Sequence, residues 1–132
     1  LRRRQRQMCI RDSFSVEESI RDIFMDQTLP DIIICLNELS TTCVYQAVVD
    51  YNCVGEIAIL GYYDTDTILK AIERNVITAT ISIDTEQMGA FCVDALQEYY
   101  NYGYTSQYFT ADVTVIDQSN VEEYLGKQEE AE

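Results

Sequence analysis

Residues Pro30 to Gly89 read PDIIICLNELSTTCVYQAVVDYNCVGEIAILGYYDTDTILKAIERNVITATISIDTEQMG, and this stretch decides the fold. It holds three β-rich runs: IIICL at 32–36, IAILGYY at 57–63 and ITATISID at 77–84. Each leads into a helical pattern, and strand–helix alternation marks a parallel sheet covered by helices. The near-continuous apolar run from Glu56 to Tyr62 suits a strand covered on both faces. Polar residues gather where the runs end, at Asn37 and Glu38, at Tyr63 and Asp64, and at Asp84. Ligands of open parallel sheets bind outside the carboxyl ends of the strands. These positions are therefore the first candidates for a binding cleft.

Working outward, Ser15 and Glu18 form a capping-box pattern ahead of a stripe of Val16, Ile20, Ile23 and Phe24. Pro30 ends that helical region. Leu39, Cys43, Val44, Ala47, Val48 and Tyr51 mark a second amphipathic helix, closed by a turn at Asn52 and Gly55. Asp64, Thr65 and Asp66 offer capping oxygens to a helix over Ile68, Leu69 and Ile72, which Asn75 stops. Asp84 or Thr85 caps a long helix through Met88, Cys92, Ala95, Leu96 and Tyr99. Tyr108–Ile116 is β-rich, and Asn120–Leu125 reads as a short helix. Strands are thus predicted near 31–36, 56–62, 77–83 and 110–117, the first three parallel and adjacent.

At 132 residues the chain holds one domain at most. Its net charge is −14, which disfavours nucleic acid and anionic membranes as partners. The charge is uneven: five of the nine basic residues fall in LRRRQRQMCIRDS, residues 1–13, and all but one of the 23 acidic residues follow. Such a break reads as a non-native or disordered basic head over 1–13. Residues 14–126 then form the body, and 127–132 an acidic tail. No apolar run reaches the roughly 18 residues of a spanning helix, so no membrane insertion is expected of this chain. With no His, the commonest general base and metal ligand is missing. The five cysteines include no C-x-x-C pair and read as buried small hydrophobes, so no metal or other cofactor is expected.

Several of these residues also carry a resemblance. Pro30-Asp31, Asn37-Glu38, Gly61-Tyr62-Tyr63, Ala71-Ile72, Ile77-Thr78-Ala79-Thr80-Ile81 and Gln87-Met88-Gly89 occur in order and at matching spacing. The chain resembles the C-terminal portion of the type I periplasmic, ribose-binding-like solute-binding proteins. The resemblance covers residues 14–125. It implies an α/β fold, a partial doubly wound parallel sheet with helices on both faces, belonging to a two-lobed protein. Residues about 84–104 match the segment that crosses to the N-terminal lobe. That lobe and the first strands of the C-terminal lobe are not matched by this sequence.

The resemblance implies a small-molecule binding module, for a sugar or related solute, of an ABC-type uptake system, working by ligand-induced lobe closure. The implied partner is the membrane permease, and the implied location periplasmic or extracellular and membrane-anchored. The same fold serves as effector-binding core of lactose-repressor-type regulators, a reading that a preceding helix-turn-helix would favour. A flavodoxin-like enzyme is the third reading; G-x-G-x-x-G, P-loop and G-x-S-x-G patterns are absent.

Three family positions supply ligand contacts from this lobe. Asn37 matches the first, with an amide that both donates and accepts; it also suits a helix cap. Tyr63 stands where the family carries an aspartate, and offers a ring face and one hydroxyl. Asp64, one residue on, could take over the carboxylate's work or cap the next helix. Ile83 falls at the third position, where a polar residue is common; Asp84 follows and suits a cap or a hinge contact.

Overall fold

The protein is described by a computed structural model covering residues 13–25 and 28–129. The basic head expected over 1–13 lies outside the described residues apart from Ser13, as do the last three residues of the tail. Five helices and four strands alternate: α1 (Ser13–Met25), β1 (Ile32–Ile34), α2 (Glu38–Asp50), β2 (Ala58–Tyr62), α3 (Asp66–Glu73), β3 (Ala79–Ile83), α4 (Thr85–Tyr102), β4 (Val113–Asp117) and α5 (Val121–Glu129).

The sheet order is β1-β2-β3-β4. β1 pairs parallel with β2, and β2 parallel with β3, with Ile33 opposite Ile59 and Gly61 opposite Thr80. The first three strands are parallel neighbours, as the alternation predicts. β4 returns antiparallel on β3, placing Ile116 opposite Thr80. The two β–α–β crossovers step in one direction across the sheet. With the usual right-handed connection, that places α2 and α3 on one face.

The core forms on that face. Val44 and Val48 of α2, Ile59 of β2, Ile68, Leu69 and Ile72 of α3, and Ile116 of β4 make one buried cluster. α1 packs along α2 and adds Ile20 and Phe24, while α5 packs along α3 and adds Val121. Each such side chain is worth about 1.5–3 kcal/mol when fully buried. Over this span the doubly wound pattern is met on one face. On the other, Ile32, Ile34, Ile81, Val113 and Val115 stand exposed. β2 accordingly alternates buried and half-buried residues, although its sequence is apolar throughout.

Some local details differ from the sequence reading. Ser15 lies inside α1 rather than capping it, because Ser13 and Phe14 before it are already helical. Thr65 is the N-cap of α3 but makes no side-chain capping bond. α5 continues to Glu129, past the Leu125 expected. Cys35 and Cys53 are buried and Cys43 half-buried, but Cys92 is exposed, against the expectation of a buried thiol. The reason is its helix: α4 has no buried residue along its 18-residue length. Met88, Leu96 and Tyr99 are exposed there, and Phe91 is partly covered by Phe109, ring centres 5.5 Å apart. Gly103, at φ +77°, ends α4 by donating its N–H to the Tyr99 carbonyl.

Candidate functional site

Parallel strands end on the same side of a sheet. The residues that follow β1, β2 and β3 therefore emerge at one edge, where α2, α3 and α4 begin. All four sequence-predicted residues lie there: Asn37 after β1, Tyr63 and Asp64 after β2, Asp84 after β3. Two of them are caps. Asn37 Oδ1 accepts from the Ser40 backbone N–H at 2.8 Å. Asp84 Oδ1 accepts from the Gln87 N–H at 2.8 Å. Each supplies an acceptor to an unsatisfied donor of a helix's first turn. Capping uses one lone pair of Asn37 Oδ1, which leaves the other and the amide nitrogen to offer a ligand. Asp84 and Gln87 also tie the edge to the start of β4. The Asp84 N–H donates to the Asp112 carbonyl at 3.0 Å. Gln87 Nε2 donates to Asp112 Oδ2 at 3.2 Å, and Gln87 Oε1 accepts from the Asp112 N–H at 2.6 Å.

The end of β2 is held more tightly. The Tyr62 N–H donates to Thr41 Oγ1 at 3.0 Å, and Thr41 Oγ1 donates to the Asn37 carbonyl at 2.9 Å. Tyr63 has φ +80°, a left-handed conformation unusual for an aromatic residue. Its N–H donates to the Ile81 carbonyl at 2.8 Å, and its carbonyl accepts from Thr80 Oγ1 at 2.6 Å. Asp64 Oδ2 accepts from Ser82 Oγ at 2.7 Å. The carboxylate is thus bonded to β3.

Thr41, Thr80 and Ser82 were not singled out by the sequence reading. The signal for two of them was present in ITATISI, where small hydroxyl residues alternate with apolar ones. In a strand such alternation sends Thr80 and Ser82 to one face.

Chemically the edge offers an amide, a phenol ring with its hydroxyl, and two carboxylates. These can accept and donate hydrogen bonds and present an aromatic face. Among the described residues no cluster of Cys, Asp or Glu could hold a metal ion. No described helix is long and apolar enough to cross a membrane. The edge itself is open. A hollow of about 430 Å³ lies elsewhere, between α1 and α2, lined by Glu17, Arg21, Cys43, Asp50 and Tyr51. A site at the edge becomes a cleft only when a second wall faces it.

No family model matches the chain, and no curated protein matches it. Solved structures do. A solute-binding protein of an ABC transporter from Bacillus halodurans C-125 with bound myo-inositol is 19% identical, at a TM-score of 0.73, covering 88% of this chain. One from Agrobacterium vitis bound with alpha-D-tagatopyranose is 14% identical, at a TM-score of 0.79, covering 92% of the chain. The XylFII-LytSN complex is matched at 25% identity and a TM-score of 0.68 over 79% of the chain. The chain has the type I periplasmic-binding-protein fold. It spans 40%, 41% and 36% of the lengths of those three structures. Within the periplasmic-binding-protein fold, this part is an α/β sheet that ends in a polar edge and an uncovered helix, α4.

Proposed function

We propose that this chain is part of a two-lobed binding protein that takes a sugar or related polyol and delivers it to the permease of an ABC-type uptake system. The observation that carries this reading is the gathering of Asn37, Tyr63, Asp64 and Asp84 at the carboxyl edge, in a fold whose solved members hold such ligands. One is a complex with myo-inositol, another with D-allose. The edge is one wall of the cleft. α4, with Met88, Leu96 and Tyr99 exposed, is the element that packs on the second lobe. Residues 84–104 are then the crossing segment, and 14–126 part of the C-terminal lobe. The work is binding followed by closure, a ligand-driven population shift between open and closed lobes. The protein acts outside the cytoplasm, periplasmic or anchored at the outer surface.

The test is calorimetry of the complete two-lobed polypeptide against a panel that includes myo-inositol, D-allose and tagatose. Saturable binding of at least one is expected, lost or weakened in Asn37→Ala and Tyr63→Asp. Unchanged affinity in both variants would place the ligand elsewhere.

A further inference from the structure

The residues that bury polar side chains point to how the site is made. Thr41, Thr80 and Ser82 are the buried polar residues among those described. A buried hydroxyl is costly unless it is hydrogen-bonded. All three spend a bond on the same three consecutive residues: Thr41 on Tyr62, Thr80 on Tyr63, Ser82 on Asp64. We infer that these hydroxyls are positioning groups that hold Tyr62–Asp64 ready for ligand. This rests on the binding reading above.

The backbone of Tyr63 supports it. The left-handed backbone of Tyr63 is tied to β3 on both sides, through its N–H and through its carbonyl. Unfavourable backbone conformations persist when the surroundings over-determine them, and they gather at ligand clamps. A carboxylate of set orientation accepts from adjacent hydroxyls, and a tyrosine ring offers an apolar face. A polyhydroxylated ring presents both partners.

The clamp is tested first by amide hydrogen exchange on the 132-residue chain. Thr80→Val removes the hydroxyl at nearly constant shape. Exchange at Tyr63 is expected to accelerate by about tenfold, the scale of one lost hydrogen bond, with Ile59 and Ile72 unchanged. Thr80→Ser restores the rate. Calorimetry on the two-lobed polypeptide, with myo-inositol and D-allose as probes, reads the positioning role. Ser82→Ala is expected to raise Kd about tenfold. The double variant Asp64→Asn with Ser82→Ala is expected to be no weaker than Asp64→Asn alone, because the two act as one unit. Unchanged exchange overturns the clamp. Faster exchange with unchanged affinity overturns the positioning role, and additive losses overturn the coupling of Ser82 to Asp64. A wild-type protein that binds none of the wider panel overturns the binding reading, while exchange still decides the clamp.

Discussion

A Cβ placed on Gly61 would lie 2.7 Å from Cγ2 of Thr41. α2 and β2 therefore meet through a missing side chain, and Thr41 sits in that gap fully buried. The closeness is what lets its hydroxyl reach the Tyr62 N–H at 3.0 Å. Gly61→Ala is expected to destabilise the chain by about 1–3 kcal/mol through overpacking. Adding Thr41→Ser removes the methyl and keeps the hydroxyl, so part of the loss should return. Urea midpoints of the two variants measure this; equal midpoints for Gly61→Ala and the unaltered chain would contradict the contact.

Asn37 has a structural task and a proposed binding task, and two substitutions separate them. Asn37→Ala removes the cap of α2 and is expected to cost about 1 kcal/mol of stability. Asn37→Asp keeps an oxygen for the Ser40 N–H and should leave the thermal midpoint near its starting value. Neither variant has the amide donor. Both are expected to weaken ligand binding in the two-lobed protein by about 1–2 kcal/mol. Wild-type affinity in Asn37→Asp would assign this residue to capping alone.

The cysteines should divide by exposure. Cys92 is exposed and Cys35 buried, so a thiol reagent added to the folded chain should label Cys92 quickly and Cys35 only on unfolding. Burial pushes the Cys35 thiol above its ordinary 9.0, with hydrogen bonds from Thr41 and Ser40 acting in the opposite direction. The unfolded thiol ionises first as pH rises. This contribution is intact below about pH 9 and is lost as pH climbs toward the folded value. Denaturation midpoints that fall above about pH 9, and fall less in Cys35→Ala, are the expected result.

Asp117 supplies the opposite limb. Its carboxylate accepts from the Ser119 hydroxyl at 2.6 Å and from the Ser119 N–H at 2.8 Å, and these hold it below the ordinary 3.8. The unfolded carboxyl takes up its proton first on acidification. The stabilisation is present above pH 3.8 and is lost as pH falls through the lower folded value. The residue is only partly buried, so the effect is small and screened by salt. Asp117→Asn should flatten the acid limb of the stability profile, and an unchanged limb would remove Asp117 from it.

The two faces of the sheet should respond differently to truncation. Ile72 is fully buried, and Ile72→Ala is expected to cost about 2–5 kcal/mol. Val115 is 56% exposed on the uncovered face, and Val115→Ala should stay within about 0.5 kcal/mol in this chain. A large loss at Val115 would show that this face is covered.

Much of this protein was legible in its sequence. The apolar runs at 32–36, 57–63 and 77–84, each leading into a helical pattern, determined three parallel strands and the edge at which Asn37, Tyr63, Asp64 and Asp84 emerge. Asp84 as the cap of α4, and Asn37 as the cap of α2, followed from the oxygen each places before a first turn. These are local properties: side-chain periodicity, capping chemistry and the direction of parallel strands. Only the tertiary structure decided what depended on residues far apart in the chain. Ser82 lies 18 residues beyond Asp64, and its hydroxyl donates to that carboxylate. Thr41 lies 21 residues before Tyr62, and meets it only because Gly61 leaves room. Periodicity also does not say which apolar face finds a cover. Met88 and Leu96 have the spacing of a buried stripe, yet they are exposed, because burial requires a partner surface and not a pattern alone.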